Sequence, residues 1–69
     1  MDRTAVSSSN IASIGYDSDS GTLEVEFTNG KVYQYFNVPP DVAARLLAAP
    51  SIGRFFNSYV RETFTHIKL

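Results

Sequence analysis

The sequence predicts an α+β domain, an antiparallel β-meander of three to five strands with two short helices packed on one face. Three observations carry this. Thr22 to Val38 alternates apolar and polar residues on both sides of Asn29-Gly30, the strongest short-range hairpin signal. Pro39-Pro40 ends that pattern, because proline cannot donate to a ladder. Beyond it, Pro40 to Ala49 and Ile52 to Thr63 switch to helical spacing.

In chain order, roughly Thr4 to Ser7 reads as a short first strand anchored by Val6, and Ser7-Ser8-Ser9-Asn10 as a turn. Ile11 to Asp17 reads as the next strand, with Ala12, Ile14 and Tyr16 turned to the core face. Asp17-Ser18-Asp19-Ser20-Gly21 has hairpin-loop composition. Its Asp-x-Asp-x-Gly spacing resembles the start of a calcium loop, but strands flank it where that motif needs helices.

The Asn29-Gly30 bend, read as a two-residue type I′ turn, sets Thr28 opposite Lys31, Glu26 opposite Tyr33 and Glu24 opposite Tyr35. The core face is then Leu23, Val25, Phe27, Val32, Phe36 and Val38, with Gln34 as the only polar intruder. The opposite face carries Glu24, Glu26, Lys31, Tyr33 and Tyr35.

Pro40 and Asp41 suit the first turn of a helix, and Pro50 stops it. Ser51 is a natural N-cap for the second helix. Its apolar stripe is Ile52, Phe55, Phe56, Tyr59 and Val60, and its other side carries Arg54, Asn57, Ser58 and Arg61. Thr63 to Leu69 alternates like a final edge strand, the alternative being a partly ordered tail.

Residues 1–69 make one domain, which at this size buries roughly 60% of its unfolded surface. An apolar content of 43% supports a compact core and excludes a disordered chain. There is no cysteine, hence no disulfide and no thiol nucleophile, which fits a reducing, cytoplasmic setting. No apolar run approaches the ~20 residues of a membrane span, and Met1-Asp2-Arg3-Thr4 lacks a signal-peptide pattern. The net charge of −1 gives no general attraction to phosphates, so any nucleic-acid role needs a local patch.

An ordered set of residues resembles the KTSC domain family. It comprises Val6, Ser8, Ile14-Gly15-Tyr16-Asp17, Leu23-x-Val25-x-Phe27-x-Asn29-Gly30, Val32-Tyr33-x-Tyr35, Val38-Pro39 and Ser51-x-Gly53-x-Phe55-Phe56-Asn57. The match runs from about Val6 to Phe64, and Tyr33-Gln34-Tyr35 corresponds to the family's YxY signature. The family takes its name from the C-terminal region of some lysyl-tRNA synthetases and includes free-standing small bacterial and phage proteins. The resemblance implies a free-standing member, no established activity, and a suggested link to RNA through the synthetase context.

Catalysis is not expected. His66 is the single histidine, and no phosphate loop is present. Glu24 and Glu26 share one strand face as surface charges, and the serine run has no partner base. No metal or cofactor is expected, since His66 has no companions at ligand spacing. The candidate binding residues are Lys31, Tyr33, Tyr35, Arg54, Asn57 and Arg61. Two exposed tyrosines can stack bases, and arginines can grip phosphate with paired hydrogen bonds. The expected function is therefore a non-enzymatic module that binds RNA or tRNA. The alternative is a protein–protein module using the exposed sheet face, where tyrosine is favoured at interfaces. A monomer or weak dimer, with no membrane partner and no small-molecule cofactor, completes the expectation.

Overall fold

The computed structural model describes every residue from Met1 to Leu69. Five strands form one antiparallel sheet in the order β1-β2-β3-β4-β5. They are β1 (Thr4–Ala5), β2 (Ile11–Asp17), β3 (Thr22–Phe27), β4 (Val32–Tyr35) and β5 (His66–Lys68). The helices α1 (Pro40–Ala48) and α2 (Ile52–Tyr59) lie between β4 and β5 in the chain. The meander with two helices is therefore the α+β architecture expected from the sequence.

The hairpin register differs from the expected one by one residue. Leu23 faces Tyr35, Glu24 faces Gln34, Val25 faces Tyr33 and Glu26 faces Val32. Gly30 N–H donates to Phe27 O and Phe27 N–H donates to Lys31 O, closing a loop of Thr28, Asn29 and Gly30. Gly30 has φ 87° while Asn29 stays at negative φ. This is a type I turn followed by a left-handed glycine, the usual three-residue hairpin loop, and not a type I′ turn. The extra residue inverts β4. Tyr33 and Tyr35 turn inward beside Leu23 and Val25, while Val32 and Gln34 turn outward.

The slip resolves the one blemish of the expected register. Gln34 leaves the core face and donates to Glu24 Oε1 at 2.9 Å on the outer face. Glu24 also pairs with Arg3 at 3.3 Å, and Glu26 accepts from Ser13 Oγ at 2.8 Å. The outer face is thus a polar network, one side of which is overlaid by the N-terminal segment. A Cβ at Gly15 would sit 2.6 Å from Asp2 O and 2.9 Å from Arg3 Cγ, so only glycine lets that segment approach.

A second irregularity lies in β2. Ile11 pairs with Phe27 and Ser13 with Glu26, leaving Ala12 as a bulge. Ile11, fully buried, takes the inward place expected of Ala12. The core joins Ile11, Ile14, Leu23, Val25, Tyr35 and Val38 of the sheet side to Ala43, Leu46, Phe56 and Val60. Both helices therefore cover the same face of the sheet; of the α2 stripe, Phe56 and Val60 are buried there, Ile52 and Phe55 are partly covered, and Tyr59 stays exposed.

Helix α1 starts at Pro40 after the extended Pro39, with Asp41 in its first turn. Helix α2 is capped by Ser51, whose Oγ accepts from Arg54 N–H. It ends at Tyr59, short of the expected Thr63. Val60 caps it at φ −118° with its side chain in the core, and the N–H groups of Val60 and Arg61 both donate to Phe56 O. The chain then crosses to β5, where His66 faces Tyr35 and Lys68 faces Tyr33.

Candidate functional site

The inverted β4 builds the floor of a groove. Tyr35 is only 3% exposed and Tyr33 is half-buried. The ring of His66, from the neighbouring β5, lies 5.1 Å from that of Tyr35 and 5.9 Å from that of Tyr33. The two tyrosine rings are 6.5 Å apart. Behind them, Phe56 meets Tyr35 edge-on at 5.3 Å, and Phe27 meets both Tyr33 and Phe56 at 5.7 and 5.5 Å. Such edge-to-face pairs are favoured and hold the rings in place.

Polar walls rise on two sides. The hairpin loop contributes Thr28, Asn29 and Lys31. The loop is pinned by Asn29 Oδ1, which accepts from Lys31 N–H at 3.0 Å. The end of α2 and the turn after it contribute Asn57, Arg61 and Glu62. The groove between them, open to solvent along one side, has a volume of about 650 Å³.

Electrostatics favour an electron-rich guest on one wall. Burial pushes the Tyr35 phenol above the ordinary value of 10.0, the neighbouring Tyr33 pushes it further, and the Arg61 guanidinium pulls it partly back. The phenol is therefore a protonated donor at neutral pH. Arg61 and Lys31 bring positive charge to the rim, and Glu62 adds one carboxylate beside Arg61.

Of the six sequence candidates, Lys31, Tyr33, Tyr35, Asn57 and Arg61 line this groove. The tyrosines do so from beneath the helices, not as an open platform on the outer face. Arg54 stands apart. It lies in the first turn of α2 and lines a smaller cleft with Ser7, Ser8 and Ser9. The continuous arginine strip does not form, because α2 ends before Arg61. Sequence reasoning missed His66 as part of the floor, Asn10 as a lining residue and Glu62 as a rim charge. His66 was legible in one respect, since it alternates with Lys68 in a strand whose partner is the Tyr33–Tyr35 strand.

The comparisons agree with this architecture. The model of the KTSC domain family matches residues 7–64. A crystal structure of a KTSC domain protein from Yersinia pestis superposes with a TM-score of 0.96 at 41% identity, covering 99% of this chain and 96% of that one. An uncharacterized protein of Stutzerimonas stutzeri is 51% identical over 57 residues, which is 83% of this chain and 80% of that protein. A lysine–tRNA ligase of Nostoc punctiforme is 43% identical over 54 residues, which is 78% of this chain but 10% of the ligase. With a family match over residues 7–64 and a solved KTSC domain protein that superposes over nearly the whole length, the chain belongs to the KTSC domain family.

Proposed function

We propose that this chain is a non-enzymatic RNA-binding module that engages unpaired RNA, tRNA included, through the groove between the hairpin loop and the end of α2. The observation that carries the reading is the convergence of Lys31 and Arg61 from opposite walls on a floor of Tyr33, Tyr35 and His66. Cations that meet phosphate and rings that meet a base are the two halves of single-stranded RNA recognition. The likeness to a segment of lysine–tRNA ligases supports RNA as the partner. A cytoplasmic setting, where tRNA is found, goes with that partner.

The non-catalytic part of the proposal rests on where the acids lie. Glu24 and Glu26 are held by Arg3, Gln34 and Ser13 on the far side of the sheet from His66. They cannot serve as acid–base partners for it. The protein-binding alternative was founded on tyrosines exposed on the outer face, and that face carries a glutamate network instead.

Fluorescence anisotropy with tRNA and with single-stranded RNA tests the reading. Arg61→Glu should weaken binding at low salt by about tenfold or more, the loss of one charge-assisted contact and its replacement by repulsion. Arg54→Glu, outside the groove, should change it less than about threefold. Absence of binding to either RNA at low salt would refute the reading.

A further inference from the structure

The groove has dimensions that narrow the ligand beyond RNA in general. We infer that it is the seat for a single extruded ribonucleotide, its phosphate between Lys31 and Arg61 and its base against Tyr33 and His66. This inference rests on the RNA-binding reading above and deepens it.

Three observations lead there. The first is volume. About 650 Å³ lies within the range of small-molecule sites, roughly 300–1,000 Å³, and so has room for one nucleotide. The second is the orientation of the rings. An open sheet surface can stack successive bases along a strand, but here β4 turns Tyr33 and Tyr35 toward α2 and buries the Tyr35 ring. A base must therefore leave its own stack and enter the groove to reach them.

The third is the distribution of polar groups. Arg61 and Lys31 supply positive charge at the rim, suited to a phosphate. Asn57 lies on the same wall and its side chain makes no hydrogen bond within the protein, so its amide has a free donor and a free acceptor for the edge of a base. Asn10 lines the groove with its Oδ1 occupied by Ser8 Oγ at 3.1 Å, leaving its N–H groups to donate. Glu62 repels phosphate from its own corner, which fixes the direction in which a nucleotide lies.

The test uses the whole chain and four probes: adenosine 5′-monophosphate, adenosine, ribose 5-phosphate and a single-stranded octa-adenylate. Amide chemical shifts are followed by NMR during each titration. The monophosphate should shift the resonances of Lys31, Tyr33, Asn57, Arg61 and His66, and the octamer should shift the same set. Adenosine and ribose 5-phosphate should each bind about tenfold more weakly than the monophosphate, since each keeps only one half of the contacts. Arg61→Gln should weaken the monophosphate by about tenfold and leave adenosine unchanged. Binding of the octamer without the monophosphate would overturn the single-nucleotide seat while leaving RNA binding intact. Binding of ribose 5-phosphate as tightly as the monophosphate would overturn it in favour of a plain phosphate site. No binding by any probe or by tRNA would remove the RNA reading itself.

Discussion

At the scale of single residues, Tyr35 is where stability and recognition meet. Its ring belongs to the core cluster and its edge to the groove. Because its folded-state pKa is raised, mainly by burial, the native protein holds that proton where the unfolded chain has released it. Stability is therefore complete below the ordinary value of 10.0 and falls as pH rises from there through the higher folded value. Urea melts at about pH 9 and about pH 11 should show this loss in wild type and a smaller one in Tyr35→Phe, which has no proton to lose there. An equal loss in both would place the alkaline sensitivity elsewhere. Truncation to Ala is a different experiment. It removes the ring from Phe56 and His66 and should cost about 3–5 kcal/mol in the same melts.

At the scale of elements, the hairpin decides which residues face the helices. The strands, the bend at Asn29-Gly30, the stop at Pro39-Pro40 and the Ser51 cap were all legible, because each depends on local chemistry. The register was not. An Asn-Gly pair fits a two-residue turn with both residues at positive φ, and equally a three-residue loop with only the glycine there. The β4 sequence does not break the tie, because Val32 and Phe36 on one parity are about as apolar as Tyr33 and Tyr35 on the other. The cue lay in Gln34, which one parity buries without a partner and the other hands to Glu24. Since Gly30 sits at φ 87°, Gly30→Ala should destabilise by about 1–2 kcal/mol, measured by chemical denaturation. Gly15→Ala acts on another element. Its methyl would meet Asp2 O, so hydrogen exchange should quicken across residues 1–5 while the β3–β4 amides keep their protection.

At the scale of the whole molecule, a net charge of −1 limits what electrostatics can contribute to binding. If Lys31 and Arg61 hold one phosphate between them, log K for single-stranded RNA should fall against log salt with a slope of about −0.7. A slope steeper than about −4 would mean that a larger basic surface is engaged than the groove provides. The core is equally modest in extent, and Phe56 joins α2 to both Phe27 and Tyr35. Phe56→Ala should remove about 3–5 kcal/mol, a large share of the stability of so small a domain. Thermal melts comparing it with Phe27→Ala, whose ring is only partly buried, should show the larger loss at Phe56.

The path of the first and last strands decides where a handle can be attached. Leu69 N–H donates to Val32 O, so residue 69 lies at the hairpin-loop end of β4, next to Lys31. Met1 and Asp2 lie against Gly15, toward the opposite end of β2. A fluorophore carried on the side chain at position 69 would therefore stand near the Lys31 side of the groove, whereas one at position 1 would lie away from it.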